Sequence, residues 1–266
     1  MGASAAFALK SKPYYAPGAV RVSVDPKRDP VAAAKADYRA HLLRLNPSAS
    51  GEKAYRGSVE CYDAELRPLL GVDRQARIVE IGCGFGHLLR YLCEAGFSRV
   101  GGVEFDRKLH RAAAEYVGAS TEFLVCGEGT AFLQEHGDVF DVVILFDVIE
   151  HFSLDGAATM VEAIHASLRA GGLAVVRTPN MSSLLASHSR YIDLTHQTGF
   201  TEYSLGQVFQ QAGFEQIGVH VPVYAHLRAK LRQRLNYAMH RLLYNLQNRV
   251  APASLDANLI MWARKP

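Results

Sequence analysis

The chain of 266 residues is 49% hydrophobic and 21% charged, with a formal net charge of +3. These values fit a folded domain with a sizeable core and are too weakly basic to argue for nucleic-acid binding on charge alone. No run approaches about 18 uninterrupted apolar residues, so no segment is expected to span a bilayer. The four cysteines (Cys61, Cys83, Cys93, Cys126) make no CxxC pair and no zinc-like spacing, as expected of reduced thiols in a cytoplasmic protein.

In chain order, the opening MGASAAFALKSKPYY has too short an apolar stretch for a secretory leader. Residues 1–60 read as a helical extension, clearest in DPVAAAKADYRAHLLRL. ARIVEIG (76–82) reads as a buried strand, and GHLLRYLCEAG as the helix that follows, ended by Gly96. RVGGVEFD (99–106) and TEFLVCG are the second and third strands, with RKLHRAAAEYVG as the helix between them. FDVVILFDVIEHF (140–152) is the fourth, too continuously apolar for a one-sided sheet. A helix through GAATMVEAIHASLRAGG leads to LAVVRTPN (173–180), the fifth. This βαβα rhythm predicts a parallel sheet with helices on both faces and right-handed crossovers. No internal repeat or low-complexity segment is visible.

VEIGCGFG (79–86) lies at the carboxyl end of the first strand and opens a helix, where open α/β sheets bind ligands. A dinucleotide fingerprint would read GxGxxG, with bare amides turned to a pyrophosphate. Here the spacing is GxGxG, and Glu80 stands two residues before Gly82. A carboxylate there would repel a diphosphate and attract a sulfonium or an amino group. Glu104 ends the second strand, 20 residues beyond Gly84, placed to accept both hydroxyls of a ribose. The implied ligand is a cationic nucleoside without phosphates, S-adenosylmethionine.

Over about residues 60–220 the sequence resembles the class I S-adenosylmethionine-dependent methyltransferases. VEIGCGFG is similar to that family's glycine loop, VGGVEFD to its ribose motif, FDVVILFDVIEHF to its fourth-strand motif and LRAGGLAVVRTPN to its fifth. The resemblance implies a Rossmann-like, doubly wound α/β fold with seven mostly parallel strands and an antiparallel last strand. EQIGVHVPV and NLIMWARK (258–265) would be strands six and seven, separated by a helical insertion. Residues 1–60 would cap the acceptor side and 61–266 would form the methyltransferase domain. The cofactor-binding loop would comprise Glu80, Gly82, Cys83, Gly84 and Gly86, with Glu80, Gly82 and Gly84 on the methionine portion. Glu104 would hold the ribose, Phe105 would lie beside the adenine, and Asp147 would close the cofactor site. Gly127-Glu128 stands where the family has a Gly-Asp pair near the adenine amino group. Glu128 reads equally well as a helix cap, and Cys83 as a packing residue rather than a nucleophile.

The fourth strand ends with Asp147, Glu150 and His151, close to where this family delivers the methyl group. DVIE lacks the Asn/Asp-Pro-Pro-aromatic motif of amino-group methyltransferases acting on bases or glutamine, which argues against that chemistry. Transfer to a hydroxyl needs a general base. His151 is one candidate, and Glu150 is assigned to the acceptor. His196 is the other, favoured because Asp193, three residues earlier, could orient its ring. Arg190 and Tyr191 add donors suited to a hydroxyl-rich or phosphorylated acceptor. The segment RYIDLTHQTGFTEYSLGQVFQQAGF resembles one in small-molecule methyltransferases tied to glycan assembly. The preferred acceptor is therefore a sugar hydroxyl of a cell-surface polysaccharide or its precursor. A phenol or quinone precursor is the alternative, and a scaffold that binds S-adenosylmethionine without catalysis is the reading from another class. The histidines and carboxylates show no ligand cluster by spacing, so no metal is expected.

Residues 226–250 contain no acidic residue and carry Arg228, Lys230, Arg232, Arg234, Arg241 and Arg249. Leu227, Leu231, Leu235, Met239, Leu242 and Leu246 recur at helical spacing, which predicts an amphipathic basic helix. One reading packs it on the domain or a dimer partner. The other offers it to an anionic membrane or a glycan-assembly partner at the membrane's inner face. Without a stacking-aromatic motif, no nucleic-acid partner is expected.

Overall fold

The computed structural model describes residues 30–266, so the expectation for the first 29 residues lies outside it. Seven strands form one sheet: β1 (Arg77–Ile81), β2 (Arg99–Glu104), β3 (Phe123–Cys126), β4 (Phe140–Phe146), β5 (Leu168–Pro179), β6 (Gln216–His220) and β7 (Asn258–Arg264). Their order is β3-β2-β1-β4-β5-β7-β6. The first five are parallel, and β7 runs antiparallel between β5 and β6. This is the expected Rossmann-like sheet, with its order reversing between β1 and β4.

Strand residues alternate between two apolar layers, as the pleat requires. Along β4, Val142 and Ile144 pack with α3 (Gly51–Glu65), α4 (His87–Glu94) and α5 (Arg107–Val117). Val143 and Leu145 pack on the opposite side with α6 (Gly129–Gln134), α7 (Leu154–Ser167) and α9 (Glu202–Gln211). Two strand predictions need adjustment. β4 ends at Phe146, because Asp147 takes φ 56° and turns the chain into a 3-10 turn over Ile149–His151. β5 begins earlier than predicted, at Leu168 opposite Phe140, and its register against β4 then shifts so that Leu173 meets Val142.

In front of the sheet lie α1 (Pro30–Ala36) and α2 (Tyr38–Leu45). α3 buries Tyr55 and Tyr62 in the core, so the expected border at residue 60 falls inside a helix that belongs to the domain. α2 is anchored by one carboxylate used twice. Asp106 Oδ1 caps α5 by accepting from Lys108 N (2.7 Å) and Leu109 N (3.0 Å). Its Oδ2 accepts from Tyr38 N (3.0 Å) and Arg39 N (3.3 Å) at the start of α2. The end of β2 thereby sets where α2 sits. Two further helices, α8 (Ala186–Tyr191) and α10 (Leu227–Leu246), follow β5 and β6.

Candidate active site

At the carboxyl ends of β1, β2 and β4 lies a cavity of about 450 Å³, within the range of small-molecule sites. Gly82, Gly84 and Gly86 all have positive φ (75°, 54° and 81°), which favours glycine in this loop. A Cβ on Gly82 would lie 2.5 Å from Val148 Cγ2, whereas one on Gly84 would meet nothing within 4 Å. Gly82 is thus needed for close approach, and Gly84 for its backbone conformation. Glu104 Oε2 accepts from Gly84 N (2.8 Å) and Oε1 from Asp106 N (2.9 Å), so the carboxylate braces the loop from β2.

Gly82, Gly84, Glu104, Phe105, Gly127, Glu128 and Asp147 line the cavity. Glu128 also N-caps α6, accepting from Ala131 N at 2.8 Å, so its two sequence readings are compatible. Three loop residues do not line the cavity. Glu80 is buried behind it with Oε2 unpartnered, and burial, then the Glu104 charge, pushes its carboxyl up to about 8. Cys83 is buried, its sulfur under the Gly102 backbone, and burial raises its thiol well above the ordinary range. Gly86 sits at the N-cap of α4 against Ala113 and Val117. The cavity fits the implied nucleoside. It offers bare glycine backbone, a carboxylate with lone pairs left beyond two N–H bonds, and the half-exposed Phe105 ring.

Its other end is made by α1 and α2 (Lys35, Tyr38, Leu42) and by the segment after β4 (Val148, His151, Phe152). Tyr38 Oη lies 3.1 Å from His151 Nε2, and Thr195 Oγ1 lies 2.8 Å from His151 Nδ1. Thr195 Oγ1 donates to Asp193 Oδ1 (2.7 Å), which also takes the Thr195 N–H (2.8 Å) and faces His41 Nε2 (2.7 Å). A carboxylate only accepts, so the Thr195 hydroxyl proton is committed to Asp193 and Thr195 can only accept from His151. His151 therefore carries its proton on Nδ1, and its Nε2 lone pair takes the Tyr38 hydroxyl. Burial, then the neighbouring His196, holds His151 down at about 4, so its ring is neutral at physiological pH. Burial, then Asp193 and Glu150, keeps the Tyr38 phenol protonated well above its ordinary range. Although burial alone would raise Asp193, its bonds from His41 and Thr195 hold it low and charged.

This arrangement corrects the expected Asp193–His196 pair. The Asp193 carboxylate faces His41 and Thr195, while His196 Nδ1 lies 2.9 Å from the Ser189 carbonyl. His196 reaches the site only through its ring, 4.8 Å edge-on from His151, and does not line the cavity. Arg190 and Tyr191 do not line it either. The Arg190 guanidinium is taken up by the carbonyls of His196 and Gln197, and Tyr191 is exposed. Glu150 lies beneath the wall, fully buried, accepting from Thr178 Oγ1 at 3.0 Å, and burial pushes its carboxyl upward. Asp147 pairs with Arg177, which also reaches Glu65 at 2.8 Å.

Folding also assembles a group that spacing did not reveal. Among the described residues, Glu150, His151 and His196 offer ligand atoms within 4.8 Å of one another. Both ring nitrogens of His151 are engaged, so a cation there would have to displace Tyr38 or Thr195. Sequence reading missed Lys35, Tyr38, His41 and Arg177 as site residues. Tyr38 and His41 lie three apart, on one face of α2, and that spacing was the signal available.

The comparisons agree with this fold. A ubiquinone biosynthesis O-methyltransferase of Rhizobium johnstonii is 33% identical over 129 residues, 46% of this chain. The match likewise spans only 46% of that relative's length. A S-adenosylmethionine-dependent methyltransferase structure from Archaeoglobus fulgidus superposes with TM-score 0.59 at 20% identity, covering 80% of this chain and 97% of that one. Phosphoethanolamine N-methyltransferase 2 of Haemonchus contortus, in complex with S-adenosyl-L-methionine, gives 0.54 at 16% identity, covering 86% and 60%. At such identities these structures speak for the fold. The family profile described as "Methyltransferase domain" matches residues 39–219, the glycine loop, Glu104 and His151 included, and the chain belongs to that family of S-adenosylmethionine-dependent methyltransferases.

Proposed function

We propose that this enzyme O-methylates a small phenolic acceptor and that His151 takes the hydroxyl proton. The observation that carries this reading is the free-base Nε2 of His151 at the cavity wall, its tautomer set by Thr195 and Asp193. S-Adenosylmethionine supplies an electrophilic methyl carbon. The chain's own residues do the rest. Glu104 and the glycine loop hold the nucleoside, and Tyr38, Leu42 and Phe152 exclude water around the acceptor. His151 Nε2 accepts the proton in the place now held by the Tyr38 hydroxyl, and the Asp193 charge offsets the imidazolium formed through Thr195. In this reading α1 and α2 cap the acceptor side.

Two features favour a phenol over the sugar hydroxyl that the sequence suggested. A base held at about 4 is weak, and a phenol with an ordinary pKa of about 10 yields its proton far more readily than an aliphatic alcohol. The donors expected to bind a sugar, Arg190 and Tyr191, are not at the cavity. The relative named for ubiquinone biosynthesis supports the same chemistry over the half of the chain it matches. Four free thiols fit a cytoplasmic site of action.

The test is turnover with S-adenosylmethionine against two acceptor panels, catechols and dihydroxybenzoates on one side and monosaccharides and nucleotide sugars on the other. S-adenosylhomocysteine formation is the readout. Phenolic turnover is expected, and turnover confined to sugars would restore the polysaccharide reading. His151→Gln should lower kcat by about 10²–10⁴-fold at unchanged S-adenosylmethionine affinity, and His196→Gln only slightly. Parental kcat in His151→Gln would remove the assigned base.

A further inference from the structure

The amphipathic helix α10 packs in the reverse of the usual sense. Its inward face is polar. Gln233 donates to the Pro222 carbonyl (2.9 Å) and to Asp256, and Asn236 to the Leu255 carbonyl (2.8 Å). Tyr237 donates to Asp256 (2.9 Å), and the buried His240 Nε2 accepts from Leu184 N (2.8 Å). These residues recur at spacings of three and four, so they consume one whole side of a helix with 3.6 residues per turn. The leucine stripe is left outside. Leu227, Leu231, Leu235, Met239, Leu242 and Leu246 are 49% to 71% exposed, along 20 residues of helix. A hydrophobic face of this length left in water signals an interaction site.

We propose that α10 is a docking helix that lays this stripe into the interface of an anionic phospholipid bilayer. Charge decides the occupant. At helical spacing Lys230, Arg234 and Arg241 flank the stripe on one side and Arg232 on the other, with Arg228 at its edge, and residues 226–250 contain no acid to offset them. A second copy of the same helix would bring an equal set of cations against these, and nothing on either stripe would neutralise them. Anionic headgroups would pair with the guanidinium groups while the leucines enter the acyl boundary. No helix among the described residues is long and apolar enough to cross a membrane, so the contact is peripheral. The helix is tied to the domain through Leu184 and Asp256, which makes the whole enzyme its cargo.

The experiment is co-sedimentation of the full chain with vesicles of equal parts phosphatidylglycerol and phosphatidylcholine, and with phosphatidylcholine alone. Binding is expected only to the anionic vesicles, weakening as salt rises above about 0.15 M, where exposed charges are screened within about 8 Å. Replacing the exposed Leu231, Leu235 and Leu242 by Ser should abolish it. Replacing Arg228, Lys230 and Arg234 by Gln should lower the partition constant roughly a hundredfold, at about fivefold per cation. S-adenosylmethionine affinity serves as the folding control and should be parental in both variants. Absence of binding by the parent, or equal binding to neutral vesicles, would overturn the proposal. So would a dimer in analytical ultracentrifugation that the Leu-to-Ser variant dissolves, because the stripe would then be a self-interface.

Discussion

Glu104→Gln separates two duties of one side chain. In the free protein its two oxygens hold Gly84 N–H at 2.8 Å and Asp106 N–H at 2.9 Å, with the carboxylate almost fully buried. Replacing one oxygen by an amide NH2 turns it toward a backbone donor, so one N–H loses a charge-assisted bond. That loss is about 1.5–3 kcal/mol, and for a chain of this size it lowers Tm by about 3–12 °C. If the remaining lone pairs also accept the ribose hydroxyls, S-adenosylmethionine affinity falls separately, by about 10- to 150-fold for a further 1.5–3 kcal/mol. Thermal melting reads the first effect and calorimetry the second. Loosening of the loop could itself weaken binding, so the deciding comparison uses S-adenosylhomocysteine and its 2′-deoxy analogue. The parent should prefer the hydroxylated ligand, and the variant should not distinguish the two. A variant with lowered Tm and undiminished preference would show that Glu104 only braces the loop, and the ribose assignment would fail.

Asp193→Asn keeps an oxygen for Thr195 but removes the charge facing His41, so kcat should fall about tenfold, or about 1.4 kcal/mol of barrier, at unchanged cofactor affinity; an unchanged kcat would mean that Asp193 serves only to fold its loop. Glu80 predicts a pH effect on stability. Its carboxyl is raised from 4.5 to about 8, so the folded state keeps a proton that the unfolded chain releases, and stability falls as pH rises from about 4.5 to about 8. Glu80→Gln mimics the protonated acid. Its Tm should match the parent's at low pH and exceed it increasingly toward pH 8, whereas a pH-independent difference between the two would refute the assignment.

Local chemistry made much of this protein readable from its sequence. Strands of Val, Ile and Leu bounded by glycines announce themselves through period and run length, and Gly82, Gly84 and Gly86 through a backbone conformation that favours glycine. Glu104, the carboxylate that braces the loop, was legible because a fixed number of residues joins it to Gly84. The His151 network had no such signature. Tyr38 and His151 are 113 residues apart, His41 and Asp193 152, and nothing local ties either pair. Adjacency even misled, since Asp193 and His196 are three residues apart and yet their side chains turn to different partners. Asp106, capping α2 as well as α5, brings the first of these groups to the site, and only the folded chain contains that cap. The same holds for α10. Its periodicity declares two faces, but which one turns inward was decided by Asp256 and the carbonyls of Pro222 and Leu255, whose hydrogen bonds only the polar face can satisfy.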